Sequence, residues 1–100
     1  MRRGEIWTID PLDHPKSCPA VIVSVDAWNR HALDVILVPL TTRPGPSRPP
    51  VSHSGLKAAS YAKCGSVSAI PKRRLKKLVG RIENEEMAAL ERELRRLMGL

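Results

Sequence analysis

Short runs of β-branched and aliphatic residues, broken by turn formers, dominate the first forty positions of the chain. Glu5–Ile9 (EIWTI) is rich in strand formers and bounded by Gly4 and by Asp10-Pro11. Residues 20–25 and 35–40 are dominated by Val, Ile and Leu. They are too short for helices, and their β-branched content predicts buried strands. The connection at 26–33, DAWNRHAL, is polar and has room for a helical turn. Residues 42–50, TRPGPSRPP, hold four of the nine prolines together with Arg43 and Arg48. Proline fixes φ and removes a backbone donor, so this segment is expected to be a mobile loop. Strand character returns over 60–70, where Tyr61, Val67 and Ile70 are interleaved with Lys63, Ser66 and Ser68, and Pro71 ends it. A basic turn follows at 72–77, then a short strand at 78–82.

The C-terminal segment changes period. Met87, Leu90, Leu94, Leu97 and Met98 recur at steps of three and four, which places them on one helical face. Asn84 is the expected N-cap. Glu85 and Glu86 suit the positive end of the helix dipole, and Arg92, Arg95 and Arg96 the negative end. The reading is an α+β chain, mainly β, with one terminal amphipathic helix packed on the sheet. Its Met and Leu stripe is core material rather than a cofactor box.

Composition narrows the picture. One hundred residues suffice for one domain, residues 1–100, and one core. Trp7, Trp28 and Tyr61 are the only rings, so the core rests on aliphatic side chains, and burial against a second copy would widen a slim stability margin. Seventeen Lys and Arg against ten Asp and Glu leave a formal charge of +7. That balance suits an anionic partner: nucleic acid, an acidic protein or a membrane surface. No apolar stretch approaches the roughly 18 residues of a membrane span. The opening MRRGEIW has no apolar run of a secretory signal, so a cytoplasmic protein without a membrane partner is expected. Cys18 and Cys64 lack a second ligand at metal spacing and are expected as free thiols. No signature of a metal or any other cofactor is present, and none is expected.

Ordered strings along the chain resemble the MazF/PemK family, toxin components of type II toxin–antitoxin systems. Arg3-Gly4-Glu5-Ile6-Trp7 is similar to the family's opening strand. Pro19-Ala20-Val21-Ile22-Val23-Ser24 is similar to its second, with Asn29-Arg30 in the connection. Val38-Pro39-Leu40-Thr41-Thr42 resembles its third. Ser60-Tyr61-Ala62-Lys63-Cys64, Lys72-Arg73-Arg74-Leu75 and Gly80-Arg81-Ile82 followed by Glu85-Glu86-Met87 complete the match, which covers essentially the whole chain. The resemblance implies an SH3-like (CcdB/MazF-like) small barrel with a C-terminal amphipathic helix, assembled as a homodimer. It also implies a sequence-specific, metal-independent endoribonuclease acting on single-stranded RNA, inhibited by an acidic antitoxin peptide in the same basic groove.

Such cleavage uses the 2′-hydroxyl of RNA as nucleophile, giving a cyclic phosphate and a free 5′-hydroxyl. The protein assists proton removal, the charge developing on phosphorus and the leaving oxygen. A guanidinium is the natural charge stabiliser, and a hydroxyl beside it donates to the same phosphate. By resemblance, Thr41 is the catalytic hydroxyl, with Thr42 its neighbour. The family's arginine before the proline of the second strand is here Cys18, in Lys16-Ser17-Cys18-Pro19, and a Gln-Ile-Arg-like string is here Gly65-Ser66-Val67-Ser68. Arg43, two residues past Thr41, is the expected substitute cation. Lys16, Cys18, Arg30, Thr42, Arg48, Ser66, Ser68 and Arg74 are the expected RNA-facing positions.

Three readings stay open. The chain cleaves RNA with a relocated cation, or binds RNA or antitoxin with little cleavage, or keeps the fold for another target, as related gyrase-poisoning toxins do. Single residues have plainer roles too. Thr41 can be an ordinary strand-end threonine, Cys18 an inert buried thiol, and Trp7 a core ring. Trp28 can stack on a base, and the cluster at 72–77 can hold phosphates or merely face solvent. His14, His31 and His53 fall in expected loops, with His53 a candidate proton shuttle.

Overall fold

Three central strands carry a separate apolar cluster on each face, and sequence alternation decides which side chain goes where. In the computed structural model, which describes residues 1–10 and 18–100, β1 (Glu5–Ile9), β2 (Cys18–Ile22) and β3 (Asp34–Thr41) pair antiparallel. Successive side chains of a strand point to opposite faces. Ile6, Val21, Val38 and Leu40 therefore fall in one cluster, together with Val51, Ala62, Cys64, Ile82, Met87 and Leu90. Ile9, Ala20, Ile22, Val35 and Leu37 fall in the other, with Leu75 and the half-buried Trp7 and Ile70.

Four more strands extend this frame: β4 (Pro50–Val51), β5 (Ser60–Ala62), β6 (Ser68–Pro71) and β7 (Leu75–Arg81). The order is β4-β5-β3-β2-β1-β7, with β6 paired to β3 off this path, and the sheet curls into a half-barrel. Its two ends meet through side chains. The His53 imidazole, just past β4, packs so closely on Gly80 of β7 that a Cβ there would overlap the ring, and Val79 packs against Gly55.

The expected strand at 60–70 is in fact two strands around a 3-10 turn at Cys64–Ser66. Leu40 pairs with Ala62 and Leu37 with Ser68, so two residues of β3 face five, 63–67. The surplus loops out and buries Cys64. The run at 20–25 is also shifted, beginning at Cys18 and ending at Ile22, although the amides of Val23 and Ser24 still donate to the Ile36 carbonyl at 2.9 and 3.2 Å. The last strand starts at Leu75, three residues earlier than expected, because Leu75 pairs with Ile9 and is buried. Lys76 and Lys77 thus belong to a strand, and the basic turn is Lys72–Arg74.

The polar connection holds α1 (Asp26–His31), which takes in His31, expected in a loop. Its Asn29 is buried. The Asn29 Nδ2 donates to the Ser24 carbonyl at 2.9 Å, the Ser24 hydroxyl donates to Asn29 Oδ1, and the Ile36 amide donates to Ser24 Oγ at 3.0 Å. Helix α2 (Asn84–Met98) ends at Gly99, whose φ of 72° is the left-handed cap that suits glycine. Its N-cap is Glu83 rather than Asn84: Glu83 is extended and completes a capping box with Glu86, while Asn84 is already helical. Met87 and Leu90 are buried and Leu94 half-buried, but Leu97 and Met98 are 44% and 55% exposed, so only the first part of the stripe is core within one chain.

The proline-rich loop is more firmly held than a mobile segment. Arg48 Nη1 donates to the Arg43 carbonyl at 3.1 Å, and the hydroxyl of Ser47, at a φ of 57°, accepts from Arg96 of α2. Among the described residues no helix is long and apolar enough to cross a membrane.

Candidate functional site

Strand register brings the two residues singled out for chemistry to one end of the sheet. Cys18 pairs with Ile9, and Thr41 pairs with Tyr61. Continuing the Ala20↔Pro39 register by two positions sets Cys18 level with Thr41. Both share the face of Ala20, Ile22, Val35 and Leu37. Cys18 is exposed, which corrects the expectation of a buried thiol; Cys64 is the buried one. Desolvation, and secondarily the nearby Glu93 charge, push the Cys64 thiol up to about 11, so it stays protonated as core sulfur.

Thr41 Oγ1 accepts a hydrogen bond from the Arg43 amide at 3.2 Å. That bond occupies an oxygen lone pair and leaves the hydroxyl proton available for a phosphate oxygen. The Arg43 side chain is exposed and has no partner among the described residues. Thr41, Arg43 and Cys18 are therefore brought together at the strand ends.

Other expected residues disperse. Arg48 donates to the Arg43 carbonyl and shapes the loop instead of standing free for a ligand. Arg74 Nη2 donates to the Asp10 carbonyl at 3.0 Å, and the Asp10 amide returns a 2.7 Å bond to the Arg74 carbonyl; Arg74 is a tie between strand ends. Arg30 lines a separate depression with Met1, Arg2 and Asp26, beyond the end of β2 remote from Cys18. Ser68 lies opposite Leu37, four residues back along β3 from Thr41, or about 13 Å at 3.3 Å per residue. Ser66 is half-buried in the 3-10 turn. Lys16 and His14 lie outside the described residues. His53, the proton-shuttle candidate from sequence, is half-buried in the seam, where its ring packs on Gly80 and Nδ1 accepts from the Gly55 amide at 2.9 Å. Trp28 is 51% exposed on α1.

The opposite face of the same sheet end holds a groove of about 550 Å³, lined by Thr8, Pro19, Thr42, Lys57, Ser60 and Val79, with Leu56 and Ala58 between. Alternation explains the division: Thr8 follows Ile6 and Pro19 precedes Val21, both on the α2 side. Lys57 and Thr8 escaped sequence reasoning. A lone lysine among Ser, Gly and Ala carries no periodic signal, and only the seam brings residues 55–58 beside β1 and β2. Among the described residues no group of three His, Cys, Asp or Glu is placed to hold a metal ion.

Residues 2–98 match a family model described as PemK-like, MazF-like toxin of type II toxin–antitoxin system. The chain is 31% identical over 111 residues to the endoribonuclease MazF9 of Mycobacterium tuberculosis, an alignment spanning 95% of this chain and 93% of that protein. It superposes with a TM-score of 0.86 on a mycobacterial endoribonuclease solved with its cognate antitoxin, at 29% identity, covering 100% of this chain and 96% of the other. A MazE–MazF structure from Deinococcus radiodurans shares the fold at 16% identity, with a TM-score of 0.85 and coverage of 100% and 96%. The curled sheet, the terminal helix and a match over nearly the whole length agree: the chain belongs to the PemK-like, MazF-like toxins of type II toxin–antitoxin systems.

Proposed function

We propose that this chain is the RNA-cleaving toxin of its pair, cutting single-stranded RNA through attack of the 2′-hydroxyl and neutralised by an acidic antitoxin peptide. The observation that carries the reading is the Thr41 hydroxyl, oriented by the Arg43 amide and level with an exposed position on β2. The 2′-oxygen attacks phosphorus and gives up its proton, the bond from phosphorus to the 5′-oxygen breaks, and that oxygen takes a proton. The products are a 2′,3′-cyclic phosphate and a 5′-hydroxyl. The Thr41 O–H donates to a non-bridging oxygen as charge builds there, and the Arg43 guanidinium supplies the positive charge from the adjoining turn. A relative named as an endoribonuclease and a related endoribonuclease that carries an antitoxin support both halves of the reading. The +7 charge suits both anionic partners.

A homodimer in the cytoplasm belongs to the same proposal, supported by exposed apolar side chains such as Leu33, Leu78 and Met98. A second reading, binding with little turnover, is favoured by one fact: a thiol occupies position 18 where the family pattern has a guanidinium. The experiment is incubation of purified protein with long RNA in EDTA, with end mapping. Discrete fragments bearing 5′-hydroxyls, lost in Thr41→Ala and reduced in Arg43→Ala, are expected. Intact RNA at high protein, with retained salt-sensitive binding, would establish the second reading instead.

A further inference from the structure

We propose that the groove on the face opposite Thr41 is a subsite for one nucleotide flanking the cut phosphate, with Lys57 as its phosphate contact. The inference rests on the reading that the chain acts on single-stranded RNA. Thr42 joins the two places. It follows Thr41 directly and lines the groove, so an RNA strand passing over the end of β3 meets the Thr41 hydroxyl first and the groove next.

The groove has the make-up of a nucleotide site. Its volume, about 550 Å³, is in the range of small-ligand sites, which combine apolar walls with a few placed polar groups. Pro19, Leu56 and Val79 offer apolar surface to a flat base. Of the hydroxyls, Thr8 Oγ1 already accepts from the Lys77 amide at 3.1 Å, and Ser60 Oγ donates to the Ala58 carbonyl at 3.1 Å. Thr42 is left to meet a ribose or a base edge. Among the described residues Lys57 is the single cation of the lining, and it has no ion-pair partner there. Several other cations are engaged: Arg3 with Glu91, Lys76 with Asp10, Arg96 with Glu93, and Arg74 on the Asp10 carbonyl. One point charge beside an apolar wall and a hydroxyl fits one phosphate and one base. An acidic peptide would call for a cluster of cations.

The test uses the full-length protein and short single-stranded oligoribonucleotides methylated at their 2′-oxygens, which bind without being cut, read by fluorescence anisotropy over a salt series. Lys57→Ala is expected to weaken binding about tenfold, the worth of one charged hydrogen bond to phosphate. The slope of log affinity against log salt should fall by about 0.7, one phosphate on a single strand. Lys57→Arg should keep both, and Ala58→Trp, which fills the groove, should weaken binding with no change in slope greater than that of Lys57→Ala. Unchanged affinity and slope in Lys57→Ala, with the wild type binding normally, would overturn the subsite alone. So would loss of binding to a polyglutamate peptide with RNA affinity intact. A wild type that binds no RNA would overturn the proposed function and the subsite with it.

Discussion

Replacing Cys18 by arginine tests the chemistry of the strand-end row directly. Extended two positions past Ala20↔Pro39, the last β2–β3 pair, the register sets position 18 level with Thr41, and opposed residues of antiparallel strands have Cβ atoms about 5 Å apart while the strands stay paired. From there a guanidinium reaches the non-bridging oxygens that the Thr41 hydroxyl faces. Losing one donor from a preorganised oxyanion site costs about 10²–10³ in kcat. Position 18 is exposed, so water screens the new charge and the gain must be smaller. We expect kcat to rise about ten- to thirtyfold, equivalent to about 1.4–2 kcal/mol of barrier. Single-turnover cleavage of end-labelled RNA measures it, with thermal melting to show that the fold is intact. The rise should vanish when Thr41→Ala is combined with Cys18→Arg, because the two groups act on the same phosphate. A fall in KM with kcat unchanged would refute the reasoning. It would mean that the new charge merely holds RNA backbone and that the row is not where the bond breaks.

Three further outcomes follow from the packing. Cys64 ionises near 9.0 when unfolded and near 11 when buried, so its contribution is fully present below pH 9 and is lost as pH climbs toward 11. Two units correspond to about 2.7 kcal/mol, and urea titrations at alkaline pH should show a flatter decline for Cys64→Ala than for wild type. Leu90→Ala should cost about 2–5 kcal/mol because Leu90 is fully buried in the larger cluster, whereas Leu97→Ala should cost less than about 0.5 kcal/mol in a dilute sample. A Leu97→Ala cost that grows with protein concentration would place that residue in a contact between copies. Asn29→Ala should lose about 1–3 kcal/mol in denaturant melts, by removing the donor to the Ser24 carbonyl and the acceptor of the Ser24 hydroxyl, while leaving RNA affinity unchanged.

Asn29 shows how sequence reading worked and where it stopped. The Asn29-Arg30 string helped identify the family, but the string does not say which residue does what. The asparagine turns inward to hold α1 on β2 and β3, and the arginine faces solvent far from Thr41. Short β-branched and aliphatic runs between turn formers, and a 3.6-residue period, were enough to place β1, β3 and α2, because these signals are carried by neighbours along the chain. The 3-10 turn at Cys64–Ser66 was not legible, since it arises from a mismatch in length between β3 and its partners. Glu83 displaced Asn84 as cap because Glu86 three residues on completes a reciprocal pair. Thr41 was found through resemblance. Lys57 was not found, because its importance comes from a closure between β4 and β7 that no local pattern announces.

That closure has a further consequence. Where barrel strands normally join by a hydrogen-bonded ladder, the two ends here meet by an imidazole resting on a glycine, and no backbone hydrogen bond links β4 to β7 among the described residues. A joint made of packing can widen and reseal without breaking main-chain bonds. The loop bearing Lys57 hangs from it, so any movement of that joint also moves one wall of the groove. The protein is built more like a clasp than a tube.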